Sequence, residues 1–291
     1  MALKKERLCQ IAGFMPALAM LLLMLAEFLT NRGLVRINFP VYCGIQIIAL
    51  GLPAGVQYWI NRHCADPVPD RVAAGFTPRA LPFILWFSWM ISLLSFAVNL
   101  GFTTLFGIEG SGAVTTGFSM TTAQALVAAA LLPALLEELL FRGVLISGWE
   151  YGGTWSALLV SALTFAMLHG SPANFAGPLA AGFLYGYMTW SFKSVWPAVL
   201  AHFIHNAHYL LMNYLMTEYA TFGIWPYFVA LDLLLLCIVL YFSMASLGKL
   251  LERGKVQRFV KAPLLRAVGS ALASPGLWLT ALLFALRLIY A

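Results

Sequence analysis

The stretch LLPALLEELLFRG, residues 131–143, decides how this chain folds. Glu137, Glu138 and Arg142 sit in a run otherwise apolar enough for lipid. A charge at the centre of a bilayer costs about 2.5 to 17 kcal/mol, depending on how the cost is measured. The surroundings show that a bilayer is the right solvent. Of the 291 residues, 62% are hydrophobic and only 10% charged, against roughly 25% charged in soluble domains. Mean hydropathy is +0.86. Windows of about 20 apolar residues recur along the chain, the length that crosses a hydrocarbon core of about 30 Å. The alternating pattern of a membrane β-barrel is absent.

The chain therefore reads as an all-α, polytopic transmembrane helical bundle, with about eight to nine membrane helices around an intramembrane polar cavity. Nine segments are expected near 10–30, 40–61, 80–105, 121–147, 154–171, 174–191, 195–216, 224–247 and 270–290. The first follows Lys4, Lys5 and Arg7 as a signal sequence would. It is longer than an h-region and lacks a small-residue cleavage site, so it reads as a retained anchor. Two connections are polar, 61–79 and 248–266. The second holds Lys249, Arg253, Lys255, Arg258, Lys261 and Arg266 against Glu252. An N-terminus in the cytoplasm places both on the positive-inside face, although Arg32 and Arg36 then lie outside. The net charge of +6 is accounted for in this way, and no nucleic-acid partner is implied. Cys9, Cys43, Cys64 and Cys237 show no metal-ligand spacing.

Polar groups inside the spans concentrate at four places: the opening stretch, LTFAMLHG (163–170), NFAGPLAAGFLYGYMTW (174–190) and VLAHFIHNAHYLLMN (199–213). Glu138 and Arg142, four apart, are positioned for a local ion pair. Successive helical residues point about 100° apart, so Glu137 is left to serve another purpose. His202, His205, Asn206, Tyr209 and Asn213 share one stripe, and His208 points elsewhere. Gly182 and Gly186 read as a close-packing face. Glu27, Asn99, Asp232 and Arg287 read as interface or pairing groups. With three helices bringing ionisable or amide groups to membrane depth, a protein interior or wet cavity is required. A carboxylate, two imidazoles and an amide there suit water activation and oxyanion stabilisation.

Glu137-Glu138-x-x-x-Arg142, Phe165-x-x-x-His169 and His202-x-x-x-Asn206, in this order, resemble the signature of the CAAX-protease and bacteriocin-processing family, formerly called Abi proteins. These are intramembrane endopeptidases. The resemblance covers roughly 120–216, read as the catalytic core between motif-free helices at 1–119 and 217–291. It implies that Glu137 is a general base assisted by His169, that Glu138 and Arg142 hold the site in shape, and that His202 and Asn206 face the developing oxyanion. It further implies a peptide or membrane-protein substrate, prenylated or otherwise lipidated in some members, and a bacterial or archaeal cell membrane. No cofactor is expected. The rival readings are a zinc metallopeptidase with Glu137, His169 and His202 as ligands, although no HExxH is present, and a non-catalytic immunity or scaffold protein. A proton-coupled transporter would show inverted repeats or paired broken helices, which this sequence lacks.

Overall fold

Pro133 shapes the helix that carries the opening stretch. In the computed structural model, residues 5–64, 68–108, 119–219, 223, 225–253 and 264–290 are described, and every regular element among them is helical. In chain order these are α1 (Lys5–Asn31), α2 (Phe39–Arg62), α3 (Leu81–Phe106), α4 (Thr122–Gly152), α5 (Thr154–Leu168) and α6 (Ala176–Phe192). They continue with α7 (Trp196–Tyr219), α8 (Trp225–Glu252), α9 (Leu264–Leu272) and α10 (Pro275–Tyr290).

Helix α4 widens to π-helical turns at Leu126–Leu131 and again at Leu139–Leu145. Before Pro133, the Leu132 N–H donates to Val127 O, five residues back. Proline has no N–H, so the next carbonyl, Ala128 O, loses its helical donor. Water cannot replace it at membrane depth. Gln46 of α2, itself buried, donates Nε2 to Ala128 O at 2.9 Å. Farther along, Asn61 Nδ2 donates to Val144 O at 3.1 Å, and Ser161 Oγ of α5 donates to Phe141 O at 3.1 Å. The wide turns thus expose carbonyls that neighbouring helices take up, which fixes α2 and α5 against α4.

Two apolar cores flank α4. One joins Met15 and Met20 of α1, Leu50 and Ala54 of α2, Leu140 and Phe141 of α4, and Phe165 of α5. The other joins Phe83 and Ile84 of α3, Tyr185 of α6, Ala201 of α7 and Val239 of α8. Helix α7 packs on α4 and α6 on α5, so the polar residues of all four helices lie where the two cores meet. At the α5–α6 contact a Cβ on Gly182 would lie 3.0 Å from Phe165 Cδ1, and one on Gly186 2.9 Å from Leu158 Cδ2. The close-packing role expected of both glycines is observed. Arg71, from the connection after α2, donates to Ser147 at 2.9 Å and pairs with Glu150 at 2.6 Å, tying that connection to the end of α4.

Five helices among the described residues are long and apolar enough to cross a membrane, or six if the pair Leu265–Leu272 and Pro275–Ile289, bent by 70°, is one span. Their outer faces expose Leu25, Phe28, Trp59, Leu100, Leu234 and Tyr241. The protein is an integral membrane protein. Eight to nine spans were expected because hydropathy registers apolar runs without their length in helix. Helix α5 has only 15 residues, α6 has 17, and α7 carries the polar stripe. The segment expected at 270–290 is broken because Ser274-Pro275 is a helix start: Ser274 Oγ accepts from Leu277 N at 3.2 Å, and proline is favoured at the first helical position. In the basic connection, Lys255, Arg258 and Lys261 lie outside the described residues.

Candidate active site

Glu138 and Arg142 are fully buried, and Arg142 Nη1 donates to Glu138 Oε1 at 2.9 Å. The second guanidinium nitrogen, Nη2, donates to the Gly182 carbonyl at 3.0 Å. The guanidinium carbon lies 4.2 Å from the Phe165 ring centroid, an arrangement in which an aromatic face offsets part of the desolvation of a cation. Gly182 is glycine for this reason as well as for packing, since a Cβ there would sit 3.0 Å from Arg142 Nη2. Arg142 therefore joins α4, α5 and α6 through one side chain.

Helix α7 completes the arrangement. His202, almost fully buried, places Nδ1 2.8 Å from Glu138 Oε1 and Nε2 3.8 Å from Glu137 Oε2. One imidazole thus stands between the two glutamates. A carboxylate can only accept, so Nδ1 carries the proton and donates to Glu138. The approach of Nε2 to Glu137 is too long for a direct hydrogen bond, and a single water or substrate oxygen can reach both atoms from the side. Glu137 keeps more solvent access than Glu138, at 16% against 0% of its side chain.

His169 ends α5, with Nδ1 2.9 Å from Phe165 O. A carbonyl likewise accepts only, so the ring's proton is on Nδ1 and Nε2 offers a lone pair. The sequence led us to expect Glu137 facing both His169 and the α7 stripe. His202 of that stripe is the imidazole beside Glu137, and His169 is held by the carbonyl one turn back in its own helix. Asn206 lies one turn beyond His202, partly buried. His205 Nδ1 is 2.6 Å from Tyr185 Oη, and His208 turns away to Asp232 of α8 at 3.6 Å and to the Trp89 ring. Of the groups read as pairing residues, Asn99 bonds Ala173 O at 2.7 Å and Gly177 N at 3.2 Å, and Glu27 pairs with Arg287.

Tyr185 was missed in the sequence. Its ring stacks on His202 with centroids 4.9 Å apart and planes 18° from parallel. The signal was its position three residues after Gly182, on the same face of α6. Among the described residues no three His, Cys, Asp or Glu side chains converge as a metal site.

The Glu138–Arg142 pair should carry much of the local stability. Breaking a buried pair leaves one charge uncompensated and costs about 3–5 kcal/mol. Arg142→Leu is expected to destabilise by that amount, measured by thermal unfolding in detergent. A loss below about 1 kcal/mol, as for an exposed pair, would show that the two groups are not ionised together.

The class of protein follows from these positions: an integral membrane protein with a charged and histidine-bearing site where α4, α5, α6 and α7 meet. Residues 119–208, the segment holding all of these groups, match the Rce1-like family, described as type II CAAX prenyl endopeptidases. This is the CAAX-protease family that the three motifs resemble, and a family of peptidases. No curated protein and no solved structure matches the chain.

Proposed function

We propose that the protein is an intramembrane endopeptidase that hydrolyses a peptide bond of a membrane-associated, prenylated CAAX-type protein or peptide with a water activated by Glu137. The observation that carries this reading is the placement of His202 between a closed Glu138–Arg142 pair and Glu137, which it approaches at 3.8 Å, beyond hydrogen-bond length. Glu137 takes a proton from the water, and the resulting hydroxide attacks the carbonyl carbon. His169 Nε2 accepts a hydrogen bond that orients the water. Negative charge passes to the carbonyl oxygen, where Asn206 donates an amide N–H and His202, carrying a proton on each ring nitrogen at this step, donates Nε2–H while Nδ1–H stays on Glu138. Collapse of the tetrahedral intermediate breaks the C–N bond as the proton moves from Glu137 to the leaving amine. Donors fixed in a dry, low-dielectric site act more strongly than in water.

In the same reading all nine hydropathy segments are embedded, the short α5 and α6 covered by the longer helices around a polar cavity. The N-terminus is cytoplasmic, and the membrane is that of a bacterial or archaeal cell. The test is an unbiased profile of N- and C-terminal peptides from membranes carrying the wild-type or the Glu137→Ala protein. Substrates cleaved only with the wild type are expected, and identical profiles would overturn the activity.

The proposed chemistry needs no metal. Turnover of a farnesylated CAAX-type peptide is expected to survive dialysis against a strong chelator. Loss on chelation, restored specifically by stoichiometric Zn²⁺, would indicate the metallopeptidase alternative with Glu137, His169 and His202 as ligands.

A further inference from the structure

Helix α5 ends in a turn that its own sequence cannot complete. His169 N donates to Ala166 O at 3.3 Å and Gly170 N to Met167 O at 3.0 Å. Gly170 then takes a left-handed conformation, φ +67°, as residues past a helix end do. The next carbonyl, Leu168 O, would receive a helical bond from residue 172, and residue 172 is proline, which has no N–H to give. An unmet carbonyl is costly where water is excluded.

Arg287 of α10 meets it. Its Nη1 donates to Leu168 O at 3.2 Å, and its Nη2 pairs with Glu27 of α1. The guanidinium lies so close over Gly170 that a Cβ there would collide with Nη1 and Cζ. A cation is also the favourable charge at a helix C-terminus. The turn that presents His169 is therefore held on one side by Phe165 O and on the other by a residue 118 positions later in the chain, outside the matched 119–208 segment.

We propose that Arg287, braced by Glu27, is a positioning residue for His169. It locks the end of α5 so that the imidazole keeps Nδ1 on Phe165 O and presents Nε2 to the reaction. The proposal rests on the reading of His169 as the group that orients water, and the test separates the two.

Arg287→Gln and Glu27→Gln are compared with His169→Ala and with the double variant His169→Ala/Arg287→Gln, on a farnesylated CAAX-type peptide. Arg287→Gln is expected to lower kcat by up to about 10²-fold, the cost of misplacing a catalytic group by about an ångström, with KM nearly unchanged. The double variant should be no slower than His169→Ala alone. If His169→Ala turns over normally, the water-orienting reading falls. If His169→Ala is slow while Arg287→Gln and Glu27→Gln are both normal, the positioning role falls and that reading stands. Independently of any substrate, ¹⁵N spectra of histidine-labelled protein should show His169 as a single Nδ1–H tautomer. In Arg287→Gln its signals should move towards the tautomer average while those of His202 stay in place. Unchanged His169 signals would overturn the proposal, as would equal changes at His202, which would mark general loosening.

Discussion

Glu137→Gln is expected to lower kcat by about 10²–10⁴, the contribution of a positioned general base, while folding as well as the wild type. The amide keeps the shape of the side chain but cannot accept the proton of water. Little stability should be lost, because among the described residues the ion-pair approach of Glu137, to His202, is 3.8 Å and beyond hydrogen-bond length. Glu138→Gln makes the contrast. Its Oε1 receives both Arg142 Nη1 at 2.9 Å and His202 Nδ1 at 2.8 Å, so neutralising it leaves a buried guanidinium without its anion. That variant should lose stability as well as activity. The two are separated by turnover of a farnesylated CAAX-type peptide and by thermal unfolding of the same purified samples. Normal turnover by Glu137→Gln would end its assignment as base. Equal destabilisation by both substitutions would show that the adjacent glutamates do the same job.

This difference between neighbours was readable in the sequence. A 100° step between successive helical residues forbids a shared role, and the i,i+4 spacing to Arg142 selects Glu138 for the pair. The same geometry separated His208 from His202. What the sequence withheld depends on contacts between distant segments. Nothing local to Leu168 reveals that Arg287 supplies its donor, and nothing local to Ala128 reveals Gln46. Proline at 133 and 172 announces a missing N–H in each case, but the residue that compensates is chosen by helix packing. Tyr185 looked like one aromatic among many until α6 laid it on the His202 ring. For the spans, five or six helices among the described residues are long and apolar enough to cross a membrane. Hydropathy scores a segment alone and is blind to helix length, and α5 and α6 have 15 and 17 residues.

The second large effect is expected on α7. Residues four apart on a helix emerge one above the other, so His202 and Asn206 can reach the same oxygen. Removing one oxyanion donor typically lowers kcat by about 10²–10³ with little change in binding. Asn206→Ala is expected to show that loss with KM and stability near wild type, since its amide is only partly buried. His202→Ala should lose at least as much activity and should also unfold at lower temperature. Its ring is buried, stacked on Tyr185 and bonded to Glu138, so alanine leaves a cavity and takes from Glu138 Oε1 one of its two donors, Arg142 remaining as the other. His205, bonded to Tyr185 rather than to either glutamate, should be intermediate. His208→Ala should leave turnover unchanged, because its partners are Asp232 and Trp89 on the far side of the helix. Steady-state kinetics on the four variants decide the matter. A loss confined to KM, or a His208 variant as slow as His202→Ala, would mean that α7 presents a different face to the peptide and that the oxyanion is stabilised elsewhere.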